Sequence, residues 1–99
     1  MTFVRLSTLQ ANPGKVEEVI RFNREQVLAT LRQQPGFEEF RLLVDRTSGK
    51  MISVTLWESE AAVRAGESTL SQSRTQAAQL FGAPTPTSEV FEMVIDESV

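Results

Sequence analysis

Cysteine, histidine and tyrosine are all missing from this chain of 99 residues. Each absence removes a class of chemistry. Without cysteine there is no disulfide, no iron–sulfur cluster and no thiolate zinc site. Without histidine there is no imidazole general base, no His-ligated haem and none of the common imidazole metal sites. Tryptophan occurs once, as Trp57. Charge of either sign is modest: ten Lys and Arg against thirteen Asp and Glu leave a net charge of −3. The basic residues are scattered, so no stripe tracks phosphates and no nucleic-acid partner is expected. No apolar run approaches the roughly 20 residues of a membrane span. "MTFVRLSTLQ" lacks signal-peptide architecture. The reading is therefore no membrane partner and a cytoplasmic location.

What is present fits one globular domain over residues 1–99, with 40% hydrophobic and 23% charged residues. "TFVRLSTL" at 2–9 alternates and predicts a strand. Val4, Leu6 and Thr8 share one face; Phe3, Arg5, Ser7 and Leu9 share the other. Asn12 caps, and Pro13 opens, a helix running to about Gln34, with Val16, Val19, Ile20, Val27 and Leu31 on its apolar face. Pro35 and Gly36 stop it. Strands are predicted at 37–46 and 51–57, joined by "TSGK" with Gly49 for a positive φ. Ser59 caps a second helical region reaching Phe81, interrupted between Gly66 and Thr69. A last strand is predicted at 88–95. The order β-α-β-β-α-β is the ferredoxin-like signature: an α+β fold with a four-stranded antiparallel sheet and helices on one face.

Both sheet faces carry apolar residues. Ile52, Val54 and Leu56 oppose Met51, Ser53, Thr55 and Trp57. Phe91, Met93 and Ile95 oppose Val90, Glu92 and Val94. One set of helices covers one face, so the other predicts a homodimer with sheets face to face. The alternative is a monomer with a mixed outer face.

"QQPGFEEFRLL" after the first helix and "SVTLWESEAAV" at the start of the second resemble the dimeric α/β-barrel superfamily, and within it the antibiotic biosynthesis monooxygenase (ABM)-like proteins. The resemblance covers nearly the whole chain. It implies a homodimeric barrel with a pocket in each subunit between sheet and helices. It also implies a small hydrophobic or aromatic ligand, and oxidation without metal, flavin or other cofactor. Trp57 matches the family tryptophan. Where cofactor-independent relatives carry an asparagine four residues earlier, this chain has Ser53, and their tyrosine has no counterpart. Haem-degrading relatives use a first-strand asparagine, here near Ser7, and a histidine that this chain lacks.

The candidate catalytic groups are Trp57, Ser53 and Asn23. Asn23 sits in the apolar face of the first helix, either as a ligand hydrogen-bonder or as an amide satisfied by backbone or water. Trp57 either stacks a flat ligand or closes one end of the core. Ser7, Thr69, Ser73 and Arg74 are pocket-lining candidates. Hydroxyls on a helix also bond back to carbonyls, and Arg74 either reaches a ligand carboxylate or phenolate or stays solvated. Arg5 is a candidate to pair across a dimer with Glu92 or Asp45. Two functions follow: a cofactor-independent monooxygenase-like protein acting on a small aromatic or phenolic substrate, or a non-catalytic dimer that binds a small molecule or serves a stress role.

Overall fold

The computed structural model describes residues 1–98. The strands are β1 (Phe3–Gln10), β2 (Phe37–Val44), β3 (Lys50–Trp57) and β4 (Thr87–Glu92). They form one antiparallel sheet in the order β2-β3-β1-β4. The helices are α1 (Val16–Phe22), α2 (Leu28–Arg32), α3 (Glu60–Ala65) and α4 (Glu67–Phe81). This is the ferredoxin-like arrangement expected from the element order. No helix among the described residues is long and apolar enough to cross a membrane.

Local chemistry explains most of the boundaries. Asn12 Oδ1 accepts from the Gly14 N–H at 2.8 Å and opens a 3-10 turn at Pro13–Lys15. Ser59 Oγ accepts from the Ala62 N–H at 3.1 Å and starts α3. Gly66 separates α3 from α4, and Gly82, at φ 63°, ends α4. Gly49 stands at φ 80° in the β2–β3 turn, where Asp45 Oδ1 accepts from the N–H groups of Thr47 and Ser48.

Two boundaries differ from expectation. The first helix is not uniformly α-helical. Asn23–Val27 is a π-turn between α1 and α2, and the Leu28 N–H reaches back five residues to the Asn23 carbonyl. The strand expected at 88–95 ends at Glu92. Among the described residues its one neighbouring strand is β1, whose Phe3 pairs with Glu92. One further bond, from the Met93 N–H to the Thr2 carbonyl, exhausts that neighbour, and Val94 and Ile95 lie exposed beyond it.

The helices cover one face of the sheet with two separate apolar clusters. Leu31, Trp57, Ala62, Val63 and Leu70 form one, joined by Phe3, Phe37 and Phe40. Ala11, Val16, Val19 and Met51 form the other, joined by Leu9, Leu42 and Phe81. The β1–β3 register explains the split. On this face the cross-strand pairs run Phe3–Trp57, Arg5–Thr55, Ser7–Ser53 and Leu9–Met51. The two ends are apolar and the two middle pairs are polar. The opposite face carries Val4, Leu6, Ile52, Val54 and Leu56 on the same two strands, with Leu43 and Phe91 exposed to either side.

Candidate functional site

A cavity of about 70 Å³ lies over the polar middle of the sheet, between the two apolar clusters. Its floor is Arg5, Ser7, Ser53 and Thr55; the helices contribute Asn23, Leu31, Leu70, Ser73 and Arg74. Pro86, from the link into β4, closes one side. Serine and threonine leave space where larger apolar residues would fill the layer between sheet and helices. The polar floor therefore follows from the alternation of β1 and β3, and the space above it from what the helices leave unfilled.

The strongest electrostatic feature of the site is an arginine pair on one carboxylate. Arg5 is 7% exposed. Its Nη1 lies 2.6 Å from Glu67 Oε2 and donates to Ser88 Oγ at 2.9 Å. Its Nη2 donates to the Val63 carbonyl at 3.4 Å. Arg74, seven residues along α4 from Glu67, pairs with the other oxygen of that carboxylate. Burial pushes the Arg5 pKa below its ordinary value; Glu67 opposes that shift and Arg74 adds to it. Among the described residues, two buried side-chain polar atoms lack a hydrogen bond, Arg5 Nε and Glu67 Oε2. The Arg5–Glu67 contact is thus a close ion pair without a well-directed hydrogen bond.

The structure brings together Asn23, Ser53, Ser7, Ser73 and Arg74 around this cavity, and leaves Trp57 and Thr69 out of its lining. Trp57 is fully buried. Its indole Nε1 donates to Thr55 Oγ1 at 2.9 Å, and its ring meets Phe37 edge-on at 5.6 Å. It is a core residue that orients a cavity-floor hydroxyl, and it offers no face to a ligand here. Thr69 contributes only its carbonyl, which accepts from Ser73 Oγ at 3.5 Å. Asn23 is half-buried and satisfied in part by backbone: Nδ2 donates to the Val19 carbonyl at 2.9 Å. It nonetheless lines the cavity, at the first residue of the π-turn, a kind of helix irregularity that recurs at functional sites.

Arg5, a candidate to pair across a dimer, is buried and pairs within its own subunit. The odd-numbered residues of β1 face the helices, so its partner is Glu67 of the same chain. Neither Glu92 nor Asp45 pairs with it: Glu92 stands opposite Phe3, and Asp45 closes its own turn. A sequence signal existed, since Arg5 shares its face with Phe3, Ser7 and Leu9.

Comparisons with known proteins agree with this architecture. The chain is 31% identical over 93 residues to the uncharacterised protein Rv2557 of Mycobacterium tuberculosis, a match covering 94% of this chain and 41% of that protein. It thus spans about two-fifths of that relative's length. Among solved structures, the Streptomyces coelicolor monooxygenase from ActVA-Orf6, in complex with nanaomycin D, superposes with a TM-score of 0.75 at 20% identity, covering 97% and 92% of the two chains. SnoaB, a cofactor-independent oxygenase from Streptomyces nogalater, superposes with a TM-score of 0.67 at 17% identity, covering 96% and 95%. MhuD, a heme-degrader of Mycobacterium tuberculosis with two hemes in its active site, superposes with a TM-score of 0.70 at 23% identity, covering 97% and 99%. At these identities the structures share a fold and do not fix a reaction. The antibiotic biosynthesis monooxygenase family matches residues 2–78, and the chain belongs to that family.

Proposed function

We propose that this protein is a cofactor-independent monooxygenase-like homodimer acting on a small aromatic or phenolic substrate. The observation that carries the reading is the cavity itself. It places a band of Ser7, Ser53, Thr55 and Asn23 between two apolar clusters, in a fold shared with a monooxygenase and a cofactor-independent oxygenase. Apolar walls with a few convergent polar groups suit a flat ligand with one polar edge.

In this reaction the substrate is its own reductant. Its ionised form gives an electron to O2, and the radical pair combines into a carbon-bound peroxide. Protonation and loss of water then leave a carbonyl. The protein orients the ring, excludes solvent and stabilises the developing charge. Asn23 and Ser53 are the groups proposed to meet the substrate oxygens. Trp57 acts through Thr55 as a positioning residue. The cavity of about 70 Å³ is smaller than the ~150 Å³ that accommodates benzene. A ring-sized substrate must therefore part its walls, and the π-turn carrying Asn23 is the segment proposed to yield. The homodimer is proposed from the apolar open face of the sheet.

Oxygen uptake with anthrone- or quinol-type substrates tests the reading. A double Asn23→Ala, Ser53→Ala variant should lose at least tenfold in rate. Uptake by the native protein no faster than by that variant would count against it. One observation favours a second reading, binding without turnover. The cavity lining contains no carboxylate, and the chain has no histidine, tyrosine or cysteine to accept a proton.

A further inference from the structure

The cavity has a charge that its own ion pairs do not cancel. Arg5 and Arg74 both line it, and both lean on the single carboxylate of Glu67. Two guanidinium cations on one carboxylate leave one positive charge beside a small, largely apolar space. Arg5 Nε is buried and has no hydrogen-bond partner. A purely structural ion pair accounts for Arg5 and Glu67. It does not account for the second arginine, nor for the idle Nε donor, since buried donors in native structures are rarely left unpaired. Serine and threonine supply the remaining polar groups of the floor, and none of these removes a proton at neutral pH.

We propose that the cavity selects an aromatic ligand carrying an anionic oxygen group, a carboxylate or a phenol already ionised, held by Arg5 and Arg74. The proposal rests on the functional reading above for its location and deepens it by naming the charge state of the ligand. Glu67 sets the net charge of the pair by neutralising one of the two guanidiniums. A ligand that arrives ionised also needs no protein base, which fits a lining that contains none. The arginine pair then recognises the anion directly by charge-assisted hydrogen bonds, the stronger class of such bonds. A groove on the outside of the cluster, lined by Arg5, Glu60, Val63, Arg64, Glu67 and Val90, gives Glu67 its partial exposure to solvent.

Binding of benzoate and of its neutral counterpart benzyl alcohol tests the proposal, by calorimetry or by NMR titration at pH 7. Benzoate should bind at least tenfold more tightly than the alcohol. Arg74→Gln takes the cluster from one net positive charge to none and should remove most of that preference. Glu67→Gln takes it to two and should tighten benzoate while leaving the alcohol unchanged. The opposite signs separate charge recognition from general disruption, and neither variant requires the buried Arg5 to be replaced. Equal affinity for acid and alcohol, no measurable binding of benzoate, or weaker benzoate binding in Glu67→Gln would overturn it. Oxygen uptake is read separately. Acid-selective binding without oxygen uptake upholds this proposal and removes the oxygenase reading. Oxygen uptake with neutral substrates and no acid preference does the reverse.

Discussion

At their middle, the two faces of the central strands reverse the usual placing of polar and apolar residues, although Val4 and Leu56 on the open side are themselves buried. On β1 and β3, the face covered by helices carries Arg5, Ser7, Ser53 and Thr55 at its middle. The face with no helix over it carries Val4, Leu6, Ile52, Val54 and Leu56. A sheet designed only for stability would do the opposite, since apolar area gains from cover and polar area loses. The inversion has a consistent physical reading. The covered face gives up packing to keep room and hydrogen-bonding groups for a ligand. In the homodimer proposed above, the open face would gain its cover from a second copy of the chain.

Substitutions at four positions break or sharpen this contrast. The largest effect is expected at Val54→Asp, which plants a charge in the middle of the open face. Two copies meeting there would each desolvate it, at several kcal/mol. Light scattering should show a dimer for the native protein and a monomer for the variant, with circular dichroism unchanged. Next is Trp57→Ala, on the covered face at the last residue of β3. Emptying a fully buried indole site should cost about 3–5 kcal/mol in chemical denaturation. Trp57→Phe should cost less and lose only the bond to Thr55 Oγ1 and part of the packing.

Ser53→Val replaces a cavity-floor hydroxyl by two methyl groups. Stability should change by less than about 1 kcal/mol, in either direction, while benzoate binding weakens severalfold. That outcome would separate the cavity floor from the core, where Trp57 stands. The smallest effect is at Asp45, far from both faces. Backbone N–H bonds from Thr47 and Ser48 lower its pKa from the ordinary value of 3.8. Its contribution to stability is therefore complete above that value and is lost as pH falls through the lowered one. Asp45→Asn should flatten the acid limb of the stability profile below pH 3.8 and leave ligand binding alone.

Much of this was legible in the sequence, for reasons the structure makes concrete. The "PGF" and "WESEAA" stretches mark the family because they touch. Gly36 stands at φ 80°, and a Cβ there would lie 2.6 Å from the Ala62 Cβ. Its carbonyl accepts from the Glu58 N–H at 2.9 Å, and Phe37 packs on Trp57. Period-two alternation correctly divided β1 and β3 into their two faces. It did not say that the polar residues of one face would surround a cavity, because that depends on what the helices leave unfilled. Nor did it place Arg5 beside Glu67, which lies 62 positions away on α4. Trp57 was visible as a landmark, but its burial depends on the β2 turn and on α3 closing over it. The π-turn at Asn23 has no compositional mark of the kind that proline or glycine gives an ordinary break.

The inverted sheet predicts where a ligand is felt. Backbone amide and side-chain methyl shifts in two-dimensional NMR titrations with benzoate measure that directly. Saturating amide shifts are expected at Ser7, Asn23, Ser53, Ser73 and Arg74, with the side-chain methyl groups of Leu6, Leu43 and Val54 unmoved. Shifts gathered on the open face, or no saturating shifts around the cavity, would contradict it.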